Sequence, residues 1–185
     1  MDNVNMLIPK LILDSRASIL LPENIDEMES ERIGLLYPKL SKPNQVFVYG
    51  DEEFWVSITL TNEAMCKEML RIRLCQYRRI LIKKFSGIEN GEISCVDSVI
   101  PEEKIYYFPI CTKGVMGGIY QLIFQHIISG REMIGTVCSS DEEYYSRITL
   151  FRKIIGSVVD LTGTWEYTIR SEKLYEKAKQ YYKDY

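Results

Sequence analysis

The sequence predicts an α+β fold: an antiparallel meander sheet packed against a long central helix and a C-terminal helix. Three observations carry this. Residues 62–84 repeat apolar side chains at three- to four-residue steps, the period of one helix face. In residues 54–60, Phe54, Val56, Ile58 and Leu60 alternate with Trp55, Ser57 and Thr59, the period of a strand with one face more buried than the other. Between residues 92 and 138, four apolar runs follow one another through connections too short for parallel crossovers, so successive strands run antiparallel.

In chain order, residues 8–13 and 18–21 are short apolar strands about an Asp14-Ser15-Arg16 turn. Residues 27–36 hold one or two helical turns, with Ser30 placed to accept an unpaired backbone N–H as N-cap. Pro38 ends that helix and pushes Tyr37 toward extended geometry. Strands at 45–49 and 54–60 flank the turn Gly50-Asp51-Glu52-Glu53. The helix at 62–84 is capped by Asn62 or Thr61, has Glu63 at its positive end and Lys83 and Lys84 at its negative end. Its apolar face is Met65, Met69, Ile72, Leu74 or Cys75, and Ile80.

Strands at 92–100, 104–111, 119–128 and 132–138 follow, with Asn90-Gly91 ahead of them. They are separated by Pro101, by Gly114 with Gly117-Gly118, and by Ser129-Gly130. A second strong helix spans 141–157. Ser140 and Glu143 have capping-box spacing there, and Tyr144, Ile148, Phe151 and Ile155 form the apolar stripe. The organisation is a single α+β domain over residues 1–162 and a Tyr/Lys-rich C-terminal extension over 163–185, whose residues 171–182 form a third helix.

Composition excludes several classes. With 185 residues, 46% hydrophobic and 26% charged, the chain suits one globular domain and not a disordered, collagen-like or coiled-coil protein. A net charge of −3 supplies no basic excess for phosphate, so no nucleic-acid partner is expected. No run reaches the roughly 18 apolar residues of a membrane helix. The start, Met1-Asp2-Asn3-Val4-Asn5, is acidic and the following apolar stretch is broken by Pro9 and Lys10, unlike a secretory signal. The five cysteines, Cys66, Cys75, Cys95, Cys111 and Cys138, are odd in number and contain no C-x-x-C pair. They read as free thiols in a reducing compartment, so a cytoplasmic location is expected.

No catalytic, cofactor-binding or metal-binding residue is assigned. The loop Lys113-Gly114-Val115-Met116-Gly117-Gly118 leads into a strand rather than a helix N-terminus, so it is a hairpin turn and not a phosphate loop. His126 is the only histidine, which rules out a two-histidine metal site. It is expected to be satisfied by a hydrogen bond in the sheet. Pairing of His126 with Cys111 or Cys138 as a general base and nucleophile is the enzymatic alternative. Asp51-Glu52-Glu53 reads as a solvated turn, and Asp141-Glu142-Glu143 as the acidic start of a helix.

Surfaces that work by contact stand out more. The long helix carries Lys67, Arg71, Arg73, Arg78, Arg79, Lys83 and Lys84, which read as a solvated outer face or as a contact surface for nucleic acid, a membrane or an acidic protein; since the whole chain is acidic, an acidic protein is the partner expected if one docks there. The chain has 13 tyrosines, several in the tail, and tyrosine offers an interface a large apolar face with a hydroxyl. The candidate binding residues are Trp55 on an exposed sheet face, Arg71 and Arg78 on the basic helix, and Tyr181 in the tail.

The entry Leu20-Leu21-Pro22-Glu23, the strand pair and long helix, the stretch from Gly118-Ile119-Tyr120 to Phe124, then Ile134-Gly135-Thr136-Val137 and Ile155-Gly156-Ser157-Val158 resemble the PsbP-like superfamily over residues 15–160. That group includes extrinsic photosystem subunits, a Ran-binding factor and DcrB-type proteins. The resemblance implies a three-layer α/β/α sandwich and a binding or assembly role, and it carries over no catalytic residue. The expectation is a non-enzymatic intracellular protein-binding module of adaptor, chaperone or immunity type. The alternatives are a Cys/His-dependent enzyme or small-ligand protein, and a structural oligomer assembled through the tail.

Overall fold

The computed structural model describes residues 6–37, 42–51, 53–84, 88–114 and 117–163. In chain order the elements are β1 (Leu7–Ile12), β2 (Ala17–Pro22), β3 (Ile25–Glu27), α1 (Ser30–Leu36), β4 (Gln45–Tyr49), β5 (Phe54–Ala64), α2 (Lys67–Lys84), β6 (Ile88–Asn90), β7 (Ser94–Asp97), β8 (Lys104–Gly114), β9 (Gly117–Ile128), β10 (Arg131–Ser140), α3 (Asp141–Gly156) and β11 (Val159–Asp160). The main sheet has the order β3-β4-β5-β10-β9-β8-β6, with β7 also on β8. A small sheet, β1-β2-β11, lies apart from it. Pairing among the described residues is antiparallel throughout.

The meander follows from its turns. Ser129 and Gly130 both take left-handed backbone, φ 55° and 68°, the pattern of a two-residue hairpin turn whose twist matches the strands. Gly114 pairs with Gly117, so β8 and β9 run antiparallel on either side of the glycine-rich stretch, as a hairpin requires. At Gly135 a side chain has no room: a Cβ there would overlap the ring of Phe124 on the neighbouring strand.

Alternation sends successive residues to opposite faces of the main sheet. On one face, Phe54, Val56 and Ile58 of β5, Val137 of β10, Leu122 and Phe124 of β9 and Tyr107 of β8 are buried together. Phe151, Ile154 and Ile155 of α3, and Ile12, Ile19 and Leu21 of the β1–β2 hairpin, complete that core. The α3 stripe falls as its period requires, with Tyr144, Phe151 and Ile155 buried and Ile148 packed alongside. On the other face, Phe108, Ile110 and Ile123 meet Leu74 of α2, with Tyr77, Leu81 and Ile134 around them. The sheet therefore lies between α2 and α3, an antiparallel α+β arrangement of three layers.

Several boundaries differ from the sequence expectations. The long helix starts at Lys67, five residues later than its period indicates, because β5 continues to Ala64, which pairs with Arg131. Thr61 and Asn62 do not cap it: Arg131 Nε donates to the Thr61 carbonyl at 2.7 Å and its guanidinium also reaches the Asn62 side chain. The buried stripe of α2 is turned as well. Leu74, Tyr77 and Leu81 face the sheet, while Ile80 is 56% exposed. Residues 69–82 carry apolar side chains on two overlapping stripes, and only the sheet selects between them.

Ser30 is the first residue of α1 and Glu29 holds the N-cap position. Ser140 has N-cap backbone but makes no side-chain capping bond; helix and strand meet there without a gap. The run 92–100 shortens to β7, and β6, β3 and β11 are too brief to show an alternation. The helix expected at 171–182 lies outside the described residues.

Candidate functional site

The sequence of α2 is KEMLRIRLCQYRRILIKK, seven basic residues against one acid in a chain whose net charge is −3. Tertiary contacts sort these cations. Lys67 pairs with Glu103, and Arg78 Nε donates to the Gly91 carbonyl at 2.9 Å, tying the helix to the β6–β7 connection. Arg71 is exposed and its guanidinium lies 5.9 Å from the centre of the Tyr106 ring, a cation–π contact. Arg79 and Lys83 are exposed beside Ile80 and Ile82, and among the described residues no carboxylate pairs with either. The outer face of α2 is thus cationic with apolar side chains interleaved.

A second feature lies beneath the helix. Glu132 of β10 is fully buried on the face that α2 covers. Gln125 Nε2 donates to its Oε1 at 2.8 Å, and the hydroxyls of Thr61 and Tyr77 each stand 3.5 Å from its Oε2. Arg73 Nε is 3.6 Å from Oε1, an ion pair longer than a hydrogen bond, and this buried nitrogen has no hydrogen-bond partner. The Gln125 Oε1 is likewise buried and unpaired. Burial pushes the Glu132 carboxyl above the usual carboxylate range, and the Arg73 guanidinium opposes that shift. Burial, then the Glu132 charge, pushes the Tyr77 phenol up. Sequence reading missed this cluster. The available signal was one acid inside the apolar run 132–138, at a position facing the same way as Ile134.

Of the other candidate residues, Trp55 is partly buried rather than openly exposed, on the sheet face that also carries Cys138, its partner on β10. Tyr181 lies outside the described residues. His126 is satisfied in the sheet: its Nδ1 donates to the Ile127 carbonyl at 2.9 Å, and burial lowers its pKa. The strand register keeps it from the thiols. His126 pairs with Met133, Cys138 with Gln121 and Cys111 with Tyr120. At about 3.4 Å per residue, those offsets separate the imidazole from either sulfur by roughly 17–20 Å. Cys138 also points to the opposite face, and burial pushes its thiol far up, away from the thiolate a nucleophile needs.

At the far edge of the sheet, Asp26, Glu27, Glu29 and Asp51 line an open groove of about 620 Å³ with Met28, Arg32 and Val48. The surface is therefore polarised, basic on α2 and acidic beside β3. Among the described residues no cluster of side chains could hold a metal ion, and no helix is long and apolar enough to cross a membrane.

No family model matches the sequence, and no curated protein matches it. A solved structure does share its architecture. Cyanobacterial PsbP from Synechocystis superposes with a TM-score of 0.56 at 8% identity, covering 86% of this chain and 96% of that one. The Ran-binding protein Mog1p of Saccharomyces cerevisiae gives 0.48 at 8% identity, over 84% and 97% of the two chains. LpqN of Mycobacterium tuberculosis, involved in cell envelope biogenesis, gives 0.47 at 11% identity, over 85% and 86%. The chain has the PsbP-like fold.

Proposed function

We propose that this chain is a non-enzymatic protein-binding module whose helix α2 receives an acidic segment of another protein in a reducing, cytoplasmic compartment. The observation that carries this is the outer face of α2. Arg71, Arg79 and Lys83 stand exposed with Ile80 and Ile82 on a helix whose net charge opposes that of the whole chain. Complementary charge steers the encounter and fixes the register, and the isoleucines supply apolar anchors that charge alone lacks. A partner of matching chemistry carries Asp or Glu interleaved with apolar residues. The five unpaired thiols support the compartment. The wide separation of His126 from Cys111 and Cys138 favours contact over nucleophilic catalysis.

Panning a random-peptide display library against the full chain tests the proposal. The expected result is enrichment of acidic, apolar-interleaved peptides that lose tenfold or more in affinity when Arg79→Glu and Lys83→Glu are combined. Peptides without acidic bias would overturn it, as would charge reversal without effect. Charge-dependent capture of phosphatidylserine vesicles with no acidic peptide recovered would assign the helix to a membrane surface instead.

A further inference from the structure

The flank of α2 that looks toward β10 adjoins its outer face and shares Ile80 with it. Met69, Arg73, Gln76 and Ile80 recur at helical spacing along it. The helix rests on β8 and β9. Beyond them, the same face of β5 and β10 carries Ser57, Thr59 and Thr136, all partly buried, between Ile134 under the helix and Trp55 and Cys138 at the far end. Arg73 stands at this border. Its side chain is 34% exposed, while that of Glu132 beneath it is 0% exposed. Among the described residues, the other hydrogen-bonding contacts of the Glu132 carboxylate come from neutral groups: Gln125 on β9, Thr61 on β5 and the Tyr77 phenol on α2. The Glu63 charge on β5 adds repulsion.

We infer that Arg73 anchors the acidic partner and that binding is coupled to protonation of Glu132: an incoming carboxylate draws the guanidinium to the border, and the buried carboxyl takes up one proton from solvent. The inference rests on the acidic-partner reading of α2 and adds the anchoring residue and a pH response to it.

The chemistry balances. The partner's carboxylate stays ionised and takes over the Arg73 charge. Glu132, which has no solvent exposure and pairs with no other cation among the described residues, becomes neutral because an unpaired buried charge costs more than its protonation. Once protonated, its hydroxyl is a donor with an unpaired acceptor nearby, Gln125 Oε1. Arg73 gains full hydrogen bonding, which its Nε lacks in the free protein.

Isothermal titration calorimetry of the full chain with the tightest acidic peptide from the display selection tests this, run in two buffers of different ionisation enthalpy between pH 5 and 8. The expected result is net proton uptake approaching one per complex over part of that range, where affinity rises up to about tenfold for each unit of falling pH. Glu132→Gln flattens that profile, and Arg73→Gln both weakens binding about tenfold and abolishes the uptake. Peptide binding that depends on Arg79 and Lys83 without any proton uptake would overturn this inference and leave the proposed function standing. Recovery of no acidic peptide at all would overturn both. If Glu132→Gln fails to fold, proton uptake by the wild-type chain decides the matter alone.

Discussion

The two faces of the main sheet are built on different principles. The face toward α3 gathers Phe54, Phe124 and Phe151, all at 0% exposure, with aliphatic residues from the small sheet; its buried polar residues Ser139 and Ser157 carry no charge, and Arg147 stands at its rim. Arg147 on that rim is latched to Glu53 and lies over Tyr49 and Phe54. The face toward α2 has four fully or nearly buried apolar residues, Leu74, Phe108, Ile110 and Ile123, beside a buried ion pair. Apolar burial is non-directional and cumulative, whereas a buried ion pair returns little net stability for its desolvation. The α3 face therefore holds the fold together. The α2 face holds a helix in place with less, and that helix presents the cationic surface.

The largest expected effect lies on the α3 side. Phe151→Ala removes a ring that packs 5.3 Å from that of Phe54 and should cost about 3–5 kcal/mol in denaturant unfolding. Leu74→Ala, on the α2 side, should cost less, about 2–3 kcal/mol. Amide exchange in that variant should show α2 opening before β9 and β10. A Leu74→Ala cost matching that of Phe151→Ala, with uniform exchange, would erase the distinction between the faces.

The buried carboxyl sharpens the comparison through pH. Because burial raises the folded-state pKa of Glu132 above its unfolded value, the folded state binds more protons between the two. Stability contributed by this group is therefore highest at or below the unfolded pKa, near 4.3, falls as pH rises to the folded pKa, and is flat above it. Glu132→Gln lacks this dependence, so the stability difference, wild type minus variant, should fall as pH rises through that window. A difference that grows with pH would mean the Arg73 pairing outweighs burial.

The smallest effect falls on a turn that serves neither face. Glu102 has φ 67° after Pro101, in a turn closed by the Glu103 N–H to Ile100 carbonyl bond at 3.2 Å, a position suited to glycine. Glu102→Gly should leave stability unchanged or raise it by up to about 1 kcal/mol in thermal unfolding. A clear loss would show that the Glu102 side chain supports the Lys67–Glu103 pair next to it.

Local pattern made much of this legible. The alternation in 54–60 correctly placed Phe54, Val56 and Ile58 in one core, and the α3 stripe named Tyr144, Phe151 and Ile155, because each side chain's direction there follows from backbone period alone. The hairpins at Gly114 and at Ser129-Gly130 were readable for the same reason, since glycine marks the backbone geometry it permits. The start of α2 was not, because residues 61–64 suit either helix or strand and Arg131, distant in sequence, settled the choice. The candidate site was half legible. The charge of α2 is a property of its composition, but Arg71 over Tyr106 and Arg78 on Gly91 are fixed by neighbours that composition cannot name.

By itself, then, the sequence determined an antiparallel α+β chain with five cysteines and no C-x-x-C pair, a cationic helix and a single histidine unable to form a two-histidine site. Tertiary structure alone decided which stripe of α2 turned inward, how far His126 stands from Cys111 and Cys138, and that Glu132 is sealed beneath Arg73. Period and composition are local quantities, while burial and charge pairing depend on which distant strand or helix lies across the gap, and strand register sets that.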